Sequence, residues 1–155
     1  MAEEKGRKGG GAKLSRSQTV TVRLDPQLRY MADMAARSQR RTLSSFIEWA
    51  IHRSLDDVSL RDSEGDADKV SDLVDELWDV DEADRFMLLV GFNPDLLTHE
   101  EQILWKLITE TPEVWSVDPS EQIGMYGRTE IDVQTIRIDK LRSKWQELKA
   151  TARGD

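Results

Sequence analysis

Histidine and cysteine, which supply many catalytic groups and metal ligands, are scarce in this sequence. It contains two histidines, His52 and His99, and no cysteine, so a thiolate nucleophile and a thiolate metal site are both excluded. The acidic run from Asp62 to Asp68 could offer carboxylates to calcium. It lacks the glycine and the glutamate that an EF-hand loop needs at its sixth and twelfth positions. We therefore predict no enzyme activity, no metal site and no cofactor.

Charge is distributed unevenly along the chain. The formal net charge is −8 over 155 residues. Residues 1–55 contain 11 Lys and Arg against 5 Asp and Glu, whereas residues 56–155 contain 11 against 25. A basic module attached to an acidic remainder is expected when contact with nucleic acid is confined to one part of the chain.

The composition also predicts a cellular compartment. The absence of cysteine suits a reducing environment, and no apolar run approaches the roughly 18 residues of a membrane span. The polar segment from Met1 to Lys13 has no apolar stretch of the signal-peptide kind. We predict a cytoplasmic protein of bacterial type with no membrane contact.

A short segment near the N-terminus has the pattern of a β-strand. Residues 18–24 alternate polar and apolar side chains, and several are β-branched. One strand cannot satisfy its own backbone hydrogen bonds, and nothing else in residues 1–60 has a strand pattern. The economical partner is the same strand of a second chain. This predicts an antiparallel two-stranded ribbon and a two-fold symmetric homodimer.

Two amphipathic helices follow the predicted strand. Asp25-Pro26 supplies an N-cap and a first-turn proline for a helix that extends to about Arg37. The apolar positions of this helix recur at helical spacing: Leu28, Met31, Ala32 and Ala35. Thr42 is the predicted N-cap of a second helix that ends near Asp57. The predicted dimer core combines positions from the strand and the second helix: Val20, Val22, Leu24, Ile47, Ile51 and Leu55.

Across residues 15–57 the sequence resembles the ribbon-helix-helix family of DNA-binding proteins, of the Arc and MetJ type. The resemblance rests on the strand Thr19 to Leu24, the Asp25-Pro26 helix start, the amphipathic first helix and the Arg41 to Ile47 entry into the second helix. One departure is the turn before the second helix, where many family members have glycine and this chain has Gln39-Arg40-Arg41.

The resemblance implies that different residues contact the bases and the phosphates of DNA. The outward strand residues, here Thr19, Thr21 and Arg23, would read base edges, and the start of the second helix would offer backbone N–H groups to a phosphate. The major groove, about 12 Å wide, admits a two-stranded ribbon, and an arginine there can donate two hydrogen bonds to guanine O6 and N7. The predicted phosphate contacts are Lys13, Arg16, Arg40, Arg41, Thr42, Leu43 and Ser44.

The remainder of the chain has the pattern of a small, mainly helical domain. Helices are predicted along an apolar stripe from Val70 to Trp78, from Glu82 to Val90 after the N-cap Asp81, after the capping box Thr98 to Glu101, and from about Asp139 to Ala150. Glu130 to Ile138 has features of both helix and strand, and we favour helix. Four tryptophans are predicted to lie in the core: Trp78, Trp105, Trp115 and Trp145.

These patterns predict a mainly α protein in four segments: a flexible basic arm (1–14), a ribbon-helix-helix domain (15–57), an acidic linker (58–69) and an acidic helical domain (70–155). The predicted function is a DNA-binding transcriptional regulator, a repressor or autoregulator that binds double-stranded DNA as a dimer. The sequence leaves open whether two dimers pair into a tetramer on DNA. The acidic domain would stabilise the dimer or bind an effector or a partner protein. Two alternatives are an antitoxin of a toxin–antitoxin pair and a plasmid partition or conjugation accessory protein.

Overall fold

Helices account for most of the regular structure in this computed structural model, which describes residues 19–62, 64–117 and 132–154. In those ranges the elements are α1 (Pro26–Ser38), α2 (Leu43–Leu55), β1 (Ser59–Arg61), β2 (Ala67–Lys69), α3 (Val74–Leu77), α4 (Glu82–Phe92), α5 (His99–Thr109) and α6 (Ile138–Arg153). Short 3₁₀ helices occupy Pro94–Leu96, Pro112–Val114 and Val133–Thr135. The chain divides into two compact units, Met1–Ile47 and Glu48–Asp155, at a point within α2.

Helix α1 begins and ends through local hydrogen bonds. The Asp25 carboxylate accepts the backbone N–H groups of Gln27 and Leu28, each at 3.0 Å, and Pro26 occupies the first turn. This confirms the helix start predicted from sequence. At the other end, Arg40 has a positive φ of 53°. The N–H groups of Arg40 and Arg41 close the helix by donating to carbonyls of its last turn, at 3.0 and 2.9 Å, which is the Schellman pattern.

Very little of the first unit is buried in the single chain. Among its described residues, 19–47, only Ala36 is fully buried, at 1% exposure. Of the stripe predicted to point inward on α1, Leu28 and Met31 are 53% and 63% exposed, and the two other alanines are half-buried. The described part of this unit therefore has no hydrophobic core of its own.

The segment predicted to be a strand, residues 18–24, is described from Thr19 onward. Residues 19–25 have no regular secondary structure in the single chain. A strand is defined by hydrogen bonds to its neighbour, and the predicted neighbour belongs to a second chain. The ribbon therefore stays a prediction.

The segment predicted to be an acidic linker, 58–69, forms a β-hairpin. β1 and β2 pair antiparallel, and the Asp62 carboxylate accepts three backbone N–H groups of the turn at 2.7 to 3.0 Å. Gly65 has a φ of 96° in this turn, where glycine avoids steric cost. The Asn93 side chain donates to the Arg61 carbonyl at 2.8 Å. These bonds make the segment an ordered part of the second unit, in place of the expected linker.

The hairpin also shortens the helix predicted from Val70 to Trp78. The Val70 N–H donates to the Val58 carbonyl at 2.9 Å, which extends the strand pairing past β2. Only Val74–Leu77 is helical, as α3. Trp78 follows this helix and is 62% exposed, so the prediction that it lies in the core is wrong.

The core of the second unit forms where α6 packs against α4 and α5. Helix α4 begins at the predicted cap, since the Asp81 carboxylate accepts the Ala83 N–H at 2.8 Å. Helix α5 begins with the predicted capping box of Thr98 and Glu101. The fully buried residues of this core include Phe86, Val90, Leu104, Ile108, Val114, Trp115, Leu141, Trp145 and Leu148.

Aromatic rings fill much of this core. The ring centroids of Phe86 and Trp145 lie 5.5 Å apart, and those of Trp105 and Trp115 lie 6.0 Å apart. The buried Trp115 indole donates to the Ile108 carbonyl at 2.8 Å, which satisfies its polar atom. Trp115 and Trp145 are buried, which confirms two of the core predictions. Trp105 is half-buried at the edge of this core, where its ring packs against those of Trp115 and Phe86.

The described part of the ambiguous segment 130–138 is only marginally helical. Asp132 caps a single 3₁₀ turn, Val133–Thr135, and Ile136 then forms an antiparallel bridge with Trp115. The preference for helix is therefore wrong here, because pairing with a distant segment satisfies this backbone. Regular helix begins only at Ile138.

An ion pair between α4 and α6 gives the second unit a testable pH dependence. Arg142 donates two hydrogen bonds of 2.8 Å to the Asp84 carboxylate, and these hold the pKa of Asp84 below its ordinary value. A carboxyl group whose pKa is lowered on folding adds stability at pH values above its ordinary pKa, about 3.9. That stability is lost as the pH falls through the lower pKa of the folded state. We expect Asp84→Asn to reduce the free energy of unfolding by about 1 kcal/mol at neutral pH.

This difference between wild type and Asp84→Asn should shrink below about pH 4. Urea unfolding at several pH values measures it. Asp68→Asn, an exposed position on β2, makes the same chemical change away from the ion pair. A deficit for Asp84→Asn that stays constant down to the lowest pH would contradict the assignment.

Candidate nucleic-acid interface

The residues predicted to read bases are all exposed. Thr19, Thr21 and Arg23 lie on the surface in the single chain. The alternate residues Val20 and Val22, predicted to face a dimer core, are 80% and 61% exposed. Leu24, the third predicted core position of the strand, is half-buried.

Helix α2 carries the other predicted dimer-core residues. Ile47, Ile51 and Leu55 are spaced four apart, so they share one face of the helix. Ile51 is 54% exposed, while Ile47 and Leu55 are half-buried. A contiguous apolar stripe on this helix is thus partly open to solvent in one chain.

Exposed apolar side chains of α1 were missed by the sequence analysis. Tyr30 is 63% exposed and Met34 is 46% exposed. They lie beside Leu28 and Met31 in sequence, so α1 has apolar residues over more than one face. That width is itself a signal, since a helix with a broad apolar surface is usually covered from more than one side.

The start of α2 has the geometry of an anion site. Thr42 Oγ1 accepts the Ser45 N–H at 3.2 Å, which confirms the predicted N-cap. The backbone N–H groups of Leu43 and Ser44 have no acceptor within the described residues. They point out of the positive end of the helix dipole, where a phosphate is stabilised.

Two cationic residues directly precede this helix start. Arg40 and Arg41 are exposed in the turn between α1 and α2. The other predicted phosphate contacts, Lys13 and Arg16, lie outside the described residues. Two parts of the predicted interface therefore lie within the described residues. One is the exposed segment Thr19 to Leu24, and the other is the basic turn together with the N-terminus of α2.

The left-handed backbone of Arg40 allows a test of the turn. This conformation costs an L-residue roughly 1–2 kcal/mol, and glycine adopts it freely at an entropic cost of roughly 0.5–1 kcal/mol. We expect Arg40→Gly to stabilise the protein by up to about 1 kcal/mol.

Arg41→Gly provides the matched control, because Arg41 is not among the residues with positive φ. It should lose stability in the same denaturation assay, since glycine gains nothing there. Equal loss of stability in both variants would show that Arg40 is not strained.

Within the described ranges, no group of three or more histidine and acidic side chains is arranged to hold a metal ion. No helix in those ranges combines the length and apolarity needed to cross a membrane. Comparison of the chain with models of known protein families, with curated proteins and with solved structures found no match.

Proposed function

We propose that the chain is a sequence-specific DNA-binding transcriptional regulator whose N-terminal domain works as a ribbon-helix-helix dimer. The observation that carries this proposal is that the described part of the first unit, residues 19–47, has no hydrophobic core. Val20, Val22 and Met31 of that unit remain more than half exposed in one chain, as does Ile51 further along α2. Exposed apolar surface costs about 25 cal/mol per Å² relative to burial. Obligate homodimers, whose cores form only between two chains, often have no stable folded monomer.

Pairing of two strands would bury the valines and satisfy the backbone in one step. In an antiparallel ribbon every second side chain points to the same face. With Val20 and Val22 turned to the helices, Thr19, Thr21 and Arg23 face outward together. This face is polar and cationic, as a surface that enters the major groove must be.

Charge and the helix start support the same orientation on DNA. The basic turn at Arg40 and the first N–H groups of α2, which have no acceptor among the described residues, would together bind a phosphate beside the proposed ribbon. The acidic residues 56–155 would be repelled by the duplex, which leaves the basic face of the dimer for DNA.

The folded second unit favours a regulator over the antitoxin alternative. Toxin-binding tails of antitoxins are commonly short and loosely folded. Here α4, α5 and α6 enclose a core with Ile108 and Leu141 at 0% exposure. A domain of this kind is better suited to holding a dimer or a partner.

Selection of bound sequences from a random DNA pool by the purified full-length protein tests the proposal. We expect a two-fold symmetric motif, because an isologous dimer presents the same ribbon to each half-site. Sedimentation analysis of the same sample should give a dimer. A monomer, or a pool without an enriched motif, would refute the proposed function.

Arg23 is predicted to determine sequence preference. We expect Arg23→Ala to weaken binding to the selected motif by about 1–3 kcal/mol and to relax the preference at one base pair per half-site. Arg29→Ala removes a second exposed arginine, on α1, and should leave the motif unchanged. Lys13→Ala should weaken binding to all sequences alike. A motif unaltered by Arg23→Ala would disprove the assignment of base contacts.

A further inference from the structure

The second unit contains an apolar groove of which only Leu55 belongs to the predicted dimer core. Its volume is about 620 Å³, and it runs between the C-terminal half of α2, the β-hairpin and α3. The apolar side chains that line it include Trp49, Leu55, Leu60, Leu73, Val74 and Trp78. Three of these are well exposed: Trp78 at 62%, Val74 at 56% and Trp49 at 39%.

The groove lies in the most acidic part of the chain. Residues 56–82 contain 12 Asp and Glu against 2 Lys and Arg. Asp75 and Glu76 are exposed on α3 directly after Val74, while Asp56, which lines the groove, is paired with the lining residue Arg53 at 3.5 Å. An apolar floor therefore lies in a segment whose surplus charge is negative.

One cation of the chain already lies against Trp78 at this edge. The Arg85 guanidinium lies 4.6 Å from the centroid of the Trp78 ring, within the range of a cation–π interaction. The ring stays 62% exposed beside this contact. An apolar and aromatic surface with this exposure and a polar rim is typical of a protein interaction site.

We propose that this groove binds a basic amphipathic helix of a partner protein. Apolar side chains at positions i, i+3 or i+4, and i+7 of such a helix would enter the groove, and its Lys and Arg residues would face the acidic segment. A second copy of the same surface is disfavoured, because it would bring two acidic segments together. The proposal does not rest on DNA binding.

A designed peptide of about 15 residues, long enough to form a helix, provides the probe. This fluorescently labelled peptide has leucines at positions i, i+3 or i+4, and i+7, and lysines at the other positions. A control peptide has glutamate in place of each lysine. Fluorescence anisotropy with the full-length protein should show saturable binding of one basic peptide per chain. The glutamate counterpart should bind at least about tenfold more weakly.

Two aspartate substitutions separate specific docking from general attraction to an acidic protein. Val74→Asp places a charge in the groove and should weaken peptide binding at least about tenfold. Val80→Asp adds the same charge at an 81% exposed position outside the groove lining and should change the affinity less than about twofold. Equal effects of the two substitutions, or equal binding of the two peptides, would overturn the proposal.

A single cysteine distinguishes a partner helix from a second copy. The chain contains no cysteine, so maleimide labelling of Val74→Cys reports on the groove alone. The labelling rate should fall when the basic peptide is added and should not depend on protein concentration. Protection that increases as the protein dimerises would assign the groove to the homodimer and overturn the proposal.

Discussion

Ile51→Asp is expected to leave the chain monomeric and to abolish specific DNA binding. Ile51 is 54% exposed in the single chain, and the proposed dimer would bury it between two copies of α2. A carboxylate buried there without a partner costs several kcal/mol. Because the proposed ribbon would form only in the dimer, loss of the dimer would also remove the surface proposed to contact bases.

Sedimentation and a binding titration on the selected motif measure both effects. Leu88→Asp is the control, since Leu88 is 40% exposed on α4, a helix that carries none of the predicted dimer-core residues. It introduces the same charge and should remain dimeric and bind DNA. If Ile51→Asp still dimerises, α2 is not part of the dimer core. If it binds the motif as a monomer, the ribbon itself is refuted.

Leu141→Ala is expected to reduce the free energy of unfolding of the second unit by about 2–5 kcal/mol. Leu141 is 0% exposed, on the face of α6 that packs against α4 and α5. Truncation to alanine removes apolar contacts and leaves a cavity in a close-packed core. The DNA motif should stay the same, because the proposed base contacts lie in the first unit.

Urea unfolding followed by tryptophan fluorescence measures this loss, since Trp115 and Trp145 lie in the same core. Leu88→Ala makes the same chemical change at a 40% exposed position and should cost less than about 1 kcal/mol. Comparable losses in the two variants would mean that α6 does not organise the core. An altered motif in Leu141→Ala would show that the second unit takes part in DNA recognition.

Helix starts were predictable because their hydrogen bonds join residues close in sequence. Asp25, Thr42, Asp81 and Thr98 each accept a backbone N–H within three residues, as their types and positions indicated. Helix α6 extends from Ile138 to Arg153, a little beyond the prediction at both ends, since apolar periodicity defines a helix better than its termini.

Two of the errors concern residues whose backbone partners lie outside their own helical turn. The stripe from Val70 to Trp78 has helical spacing, yet the Val70 backbone pairs with Val58 in the hairpin. The Ile136 region pairs with Trp115. In both places a long-range backbone partner outweighs the local pattern, and no spacing rule reveals such a partner.

One part of the candidate interface depends on contacts close in sequence, and the other part depends on a second chain. The proposed anion site at Thr42 follows from an N-cap and a helix dipole, both readable from sequence. The proposed ribbon would need a second chain, and what one chain contributes is exposed surface at Val20, Val22 and Ile51. The groove beside Trp78 was not foreseen, because Trp78 was assigned to the core.

The sequence alone determined where the helices begin, which end of the chain is basic, and that neither a thiolate site nor an EF-hand is present. These properties depend on residue type and on contacts within one helical turn. Tertiary structure decided that residues 58–69 form a hairpin, that Trp115 is buried while Trp78 is not, and that an apolar groove beside Trp78 is open. Burial depends on which distant segments meet, and that is a property of the whole packed chain.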